Sequence, residues 1–134
     1  MRYTFMLVLF FVFGISSLRA YDVYTVQVFS GARESTWTKM LAREIGEGDM
    51  TLKIPYLAPD FVTNNRAYEV NFIETWHEGF GQVLHARDVL KKRGVLVLIV
   101  PDLEESRQLL AYIEKERCEP YDIELIVIRK KLGR

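Results

Sequence analysis

Two short stretches hold the residue types from which a reaction could be built. These are Pro59-Asp60 and, beginning nine residues after Asp60, Glu69-Val70-Asn71. Alternate residues of a strand project from one face, so a strand over this stretch sets Glu69 and Asn71 side by side. Asn64-Asn65-Arg66 between the two stretches is a turn signal. A hairpin closed there would carry Asp60 next to Glu69. Two carboxylates so placed repel unless a cation sits between them, and a hard divalent ion with oxygen ligands, Mg²⁺ or Mn²⁺, is the natural occupant. Such an ion polarises a phosphate and makes its bound water more acidic. Plainer readings stand beside this one. An Asp after Pro is commonly just a turn residue, and Glu69 could be an edge-facing, solvated side chain.

Other chemistries have less to work with. His77 and His85 with the single cysteine, Cys118, are too few for a structural zinc site. They also offer no Ser-His-Asp or Cys-His arrangement. Glu78, Gln82 and His85 form an i, i+4, i+7 stripe that a solvated helix face explains as well as a site does. The clusters Lys91-Lys92-Arg93 and Arg129-Lys130-Lys131 could meet a phosphate backbone, but they also read as ordinary charge at a helix end and near the chain end.

The elements that must position these residues follow from hydrophobic spacing. Tyr21 to Phe29 alternates loosely, as an edge strand or an extended arm. Ser35 is a plausible N-cap for a helix over Thr36 to Ile45, with Trp37, Met40, Leu41 and Ile45 on one face and Gly46 and Gly48 beyond it. Met50 to Tyr56, Phe61 to Thr63 and Ala67 to Ile73 read as a three-stranded antiparallel meander. A helix over Glu74 to Lys92 sets Trp76, Phe80, Val83, Leu84 and Leu90 on one face. Gly79 and Gly81 suggest that it packs closely on something flat, and Gly94 would terminate it. Val95 to Val100 has no polar face, so it predicts a strand covered on both sides and paired in parallel. Asp102 and Glu105 make a capping box for a helix to Arg117, and Asp122 to Arg129 is the last strand. The expected class is α/β with a mixed sheet, in the order α-β-β-β-α-β-α-β.

Length and charge bound the rest. The 134 residues suit one domain, and the 18 basic and 18 acidic residues leave no overall field of the kind a nucleic-acid packer carries. Arg2 precedes the apolar run Phe5 to Ile15, which is followed by Ser16-Ser17-Leu18-Arg19-Ala20. The run is short of the roughly 20 apolar residues that a bilayer span needs, so residues 1–20 read as a signal peptide ending at Ala20. The alternative is an uncleaved leader that remains as an anchor. Removing the leader, with Arg2 and Arg19, leaves 114 residues and a formal charge of −2. The expected product is a single exported domain, 21–134, periplasmic or secreted. In such a protein an unpaired cysteine should be at least partly covered.

From Met50 to Val100 the sequence resembles the PD-(D/E)XK, or restriction-endonuclease-like, superfamily. That superfamily places an Asp at the end of one strand, Glu-x-Lys on the next, then a helix and a buried strand. Tyr68-Glu69-Val70-Asn71-Phe72, Trp76-His77-Glu78 and Gly81-Gln82 are similar to a group of small exported members. The resemblance implies that Asp60, Glu69 and the Val70 carbonyl hold the metal, with Gln82 beside the site. It implies a Mg²⁺-dependent nuclease acting on DNA or RNA. Asn71 stands where the superfamily has lysine and supplies no positive charge, although it could ligate the metal or hold a water. Lys53, on the preceding strand, is the one cation suggested as a substitute. The alternative is an exported domain of the same fold that has lost the reaction and binds a protein or envelope partner.

Overall fold

Six consecutive apolar side chains, Val95 to Val100, cannot be divided between water and a core, so their strand has to lie between two covered faces. The computed structural model of the protein describes residues 21–28, 31–45 and 59–132, and it places this strand at the centre of the sheet. The strands are β1 (Asp22–Val28), β2 (Phe61–Val62), β3 (Arg66–Phe72), β4 (Arg93–Val100) and β5 (Glu124–Leu132). Their spatial order is β1-β5-β4-β3-β2. The β1–β5, β5–β4 and β4–β3 pairs are parallel, and β3–β2 is antiparallel. The protein is thus α/β with a mixed sheet.

Alternation along β4 divides the core in two. Val95, Val97 and Ile99 meet Phe61, Tyr68, Val70, Ile126 and Ile128, covered by Trp37 and Leu41 of helix α1 (Glu34–Ile45). Leu96, Leu98 and Val100 meet Val83, Leu110, Ile113, Leu125 and Val127 on the opposite face. Helices α2 (Trp76–Leu90) and α3 (Arg107–Tyr112) cover that second face. Cys118 is buried there as a free thiol, in line with the expectation that it be at least partly covered. Burial, with Glu114 nearby, pushes its thiol up to about 12. No helix among the described residues is long and apolar enough to cross a membrane.

Several boundaries depart from the sequence reading. The edge strand expected over Tyr21 to Phe29 forms as β1. The leader, the expected Met50 to Tyr56 strand and Lys53 lie outside the described residues. Helix α1 begins at Glu34, so Ser35 is inside its first turn, and the Arg33 carbonyl accepts the amides of Thr36 (2.9 Å) and Trp37 (3.3 Å). A carboxylate at the positive end of the helix favours that earlier start.

Helix α2 stops at Lys91, which takes the left-handed conformation itself (φ 55°) while its amide donates to the Arg87 carbonyl at 2.9 Å. Gly94 does not cap the helix. It lies within β4, where a Cβ would come 2.7 Å from Ile123 Cδ1 and 3.0 Å from Val83 Cγ2. Close packing therefore requires that glycine. Asp102 does cap the next segment, accepting the amides of Glu104 (2.9 Å) and Glu105 (3.1 Å) through Oδ1. The segment is α-helical only over Arg107–Tyr112 and then widens into π turns over Ile113–Cys118. A 3-10 turn with Pro120 near its start follows.

Candidate metal centre

The hairpin that joins the two candidate stretches forms as the Asn64-Asn65 turn suggests. Phe61 pairs with Tyr68 and Val62 with Ala67, and the Phe61 and Tyr68 rings stack at 4.1 Å. Continuing that register by one residue sets Asp60 opposite Glu69. The backbone ladder changes at this point. The Asp60 amide donates to the Tyr68 carbonyl (3.0 Å), and the Asp60 carboxylate Oδ2 accepts the Val70 amide at 2.7 Å. A side chain has taken over from the backbone of a strand only two residues long. This holds the Asp60 carboxylate on β3, next to Glu69.

Glu69 is only 5% exposed, and burial is the main reason its carboxyl is pushed up to about 8. The Asp60 charge, a hydrogen bond to Asp60 and the more distant Glu34 carboxylate all add to the shift. Asp60 is also raised by burial, while the Val70 amide and the bond from Glu69 pull it back. Burial and the neighbouring carboxylate both favour the protonated form of Glu69, the more strongly raised of the two. At neutral pH the two acids share a proton between them, the usual outcome when two carboxyls occupy one partly dry site.

This donor set fits a divalent ion. Mg²⁺ commonly binds through one or two carboxylates and keeps several waters. Asp60 and Glu69 are two such groups, already held together, and an ion would take the place of the proton they share. Among the described residues no group of three or more His, Cys, Asp and Glu gathers as a metal cage. The remaining ligands would therefore be water and substrate.

The other expected site residues divide. Asn71 shares the face of Glu69, as alternation requires, and is 7% exposed. Its Oδ1 is buried with no hydrogen-bond partner. Gln82 is exposed on α2, as are Glu78 and His85, so that stripe is a solvated helix face. Gly79, three residues before Gln82, is the glycine that lies on the sheet. A Cβ there would fall on Asn71 Oδ1, 2.7 Å from Asn71 Cγ and 3.1 Å from Leu96 Cδ1. Gly81 has nothing within 4 Å of a Cβ, so only one of the two glycines marks close packing. The buried stripe of α2 is Gly79, Val83 and Ala86. Leu90 leaves the Trp76 and Phe80 side and packs beside Val62, Ala67 and Ala86.

Sequence reasoning missed Glu34. It lies in the first turn of α1, far from the motif in sequence, and adds a third negative charge near Glu69. Its only local signal was an acid at a helix start, which helix capping explains equally well.

A cleft of about 310 Å³ lies elsewhere, at the starts of β4 and β5, lined by Arg93, Glu114, Glu119, Asp122 and Glu124. Its acidic charge is only partly answered: burial and then the repulsion of Glu119 raise the Glu114 carboxyl, while arginines meet the other two acids. Arg66 Nε reaches Glu124 at 3.0 Å, and Arg93 approaches Asp122 (3.7 Å) and Glu124 (3.9 Å). The carboxyl pair does not line this cleft. Comparison with family models, with curated proteins and with solved structures finds no match to this chain.

Proposed function

We propose that the protein is an exported, Mg²⁺- or Mn²⁺-dependent phosphodiesterase acting on nucleic acid. In this reading it is a restriction-endonuclease-like domain whose metal is held by Asp60 and Glu69. The observation that carries the reading is the carboxyl pair itself, brought together across the β2–β3 hairpin and unable to ionise fully without a cation. The bound ion would supply charge for the scissile phosphate and a more acidic water. Asp60 keeps its place through the Val70 amide. With its proton released to solvent, Glu69 would offer the ion a second carboxylate. Gln82, exposed on α2, is free to contact substrate.

Calorimetric titration with Mn²⁺ of residues 21–134 and of the Asp60→Ala variant tests the metal centre. One site in the parent, absent in the variant, is expected. Cleavage of DNA or RNA lost in both Asp60→Ala and Glu69→Ala would support the activity, and unchanged cleavage in either would overturn it. Intact mass of the exported protein tests removal of residues 1–20.

A second reading is favoured by Asn71. The position that carries lysine in active relatives of this motif here holds a neutral amide pressed against α2. A non-enzymatic domain that binds a protein or envelope partner would show no Asp60-dependent Mn²⁺ site. Detection of such a site counts against it.

A further inference from the structure

Asn71 combines two features that call for one explanation. A buried acceptor without a donor is costly, at roughly 1–3 kcal/mol, yet Asn71 Oδ1 has no partner. A Cβ on Gly79 would fall on that oxygen, so any side chain there would have to displace the amide. Glycine inside a helix is itself unfavourable by about 1 kcal/mol relative to alanine. Both features serve one arrangement, in which α2 lies directly on the Asn71 amide.

That arrangement fixes which half of the amide remains for chemistry. An asparagine side chain has one acceptor oxygen and one donor NH₂ on a planar group. With Oδ1 turned onto Gly79, the NH₂ is the half left for a ligand. Ionised Asp60 and Glu69 can only accept hydrogen bonds. Of the three side chains, Asn71 alone can donate to an anionic oxygen.

We propose that Gly79 is a positioning residue of the Asp60–Glu69 centre, acting through Asn71. Its bare Cα seats the amide so that the NH₂, on the strand face that also carries Glu69, meets a phosphate oxygen of the substrate. The inference rests on the phosphodiesterase reading and assigns a neutral donor to the position that lacks a cation. Gly79 sets the orientation, and Asn71 makes the contact.

The test uses two probes on the same proteins: Mn²⁺ alone, then a short phosphorothioate-linked oligodeoxynucleotide added to the Mn²⁺-loaded protein. Gly79→Ala and Asn71→Ala should each weaken oligonucleotide binding about tenfold, the loss of roughly one hydrogen bond to a charged group. Mn²⁺ affinity should stay within about twofold of the parent, because both carboxylates remain. Asn71→Asp, which has lost the donor, should bind the oligonucleotide no better than Asn71→Ala. Gly81→Ala, on the same helix with open space around it, should behave as the parent.

If Gly79→Ala does not fold, the double variant Gly79→Ala/Asn71→Ala removes the clash, and Asn71→Ala alone still carries the test. Oligonucleotide binding unchanged in Asn71→Ala would overturn the inference while the metal centre stands. Equal losses of Mn²⁺ and oligonucleotide binding would also overturn it, since they would indicate a general disturbance of the site. Absence of an Asp60-dependent Mn²⁺ site in the parent would remove the phosphodiesterase reading and this inference together.

Discussion

Strands β3 and β4 lie side by side, parallel and in register, and both are buried over most of their length. Their side chains could hardly differ more. From Val95 to Val100, β4 is wholly apolar, whereas β3 places Glu69 and Asn71 opposite Leu96 and Leu98. What separates them is the neighbour on the far side. β4 is flanked by two long strands, and helices cover both its faces. β3 has β2 on its outer side, which pairs for only two residues before the Asp60 side chain takes over the bonding. Glu69 is tolerated beside that incomplete edge because the Asp60 side chain can reach it there. In the centre of the sheet nothing is available to satisfy such a group.

The sharpest way to break the comparison is to give β4 what β3 has. Val97→Asp would bury an unpaired carboxylate and should cost about 4 kcal/mol or more, enough to leave the domain largely unfolded. Urea unfolding followed by circular dichroism would show it, and a stable Val97→Asp variant would mean that the edge is not what makes β3 tolerant.

The next effect runs the other way, in β3. The folded state holds the Glu69 proton up to about pH 8, while an unfolded carboxyl releases it near its ordinary value of 4.5. Between those values the native state binds more protons than the unfolded state, so stability falls as pH rises. The contribution is intact below about pH 4.5 and lost once pH passes about 8. Melting temperatures measured without divalent ions should therefore fall across this window. Glu69→Gln should flatten the fall and melt above the parent at pH 9. Added Mn²⁺ should raise the parent most at the alkaline end.

Two glycines, one packed in β4 and one exposed on α2, sharpen the contrast at smaller scale. Gly94→Ala forces a Cβ against Ile123 and Val83 in β4 and should cost about 1–3 kcal/mol. Gly81→Ala meets nothing and should gain up to about 1 kcal/mol from helix propensity. Lys91→Gly should gain a similar amount, up to about 1 kcal/mol, because glycine adopts the left-handed position at the end of α2 without strain. Chemical denaturation resolves all three. A stabilising Gly94→Ala would contradict the packing described for β4.

Much of this was legible in the sequence wherever one residue type has one physical solution. The run Val95 to Val100 could only be an interior strand. Asn64-Asn65 marked the hairpin, and period-two spacing put Glu69 and Asn71 on one face. Capping and close approach were harder to read. Ser35, Gly81 and Gly94 each carried a familiar local signal that the structure does not follow: the helix starts at Glu34, Gly81 faces open space, and packing holds Gly94 inside β4. Gly94 is a glycine because Ile123, 29 residues away, needs its space, and no window around position 94 contains that information.

The sequence by itself determined the α/β class, the central apolar strand and the pairing of Asp60 with Glu69. These depend on local periodicity and on a short turn. The tertiary structure alone decided that Glu69 keeps its proton, that Glu34 adds its charge to the site, and that Gly79 rather than Gly81 lies on Asn71. Those outcomes depend on how much water is excluded and on which atoms of distant segments touch, and only the packed molecule sets either one.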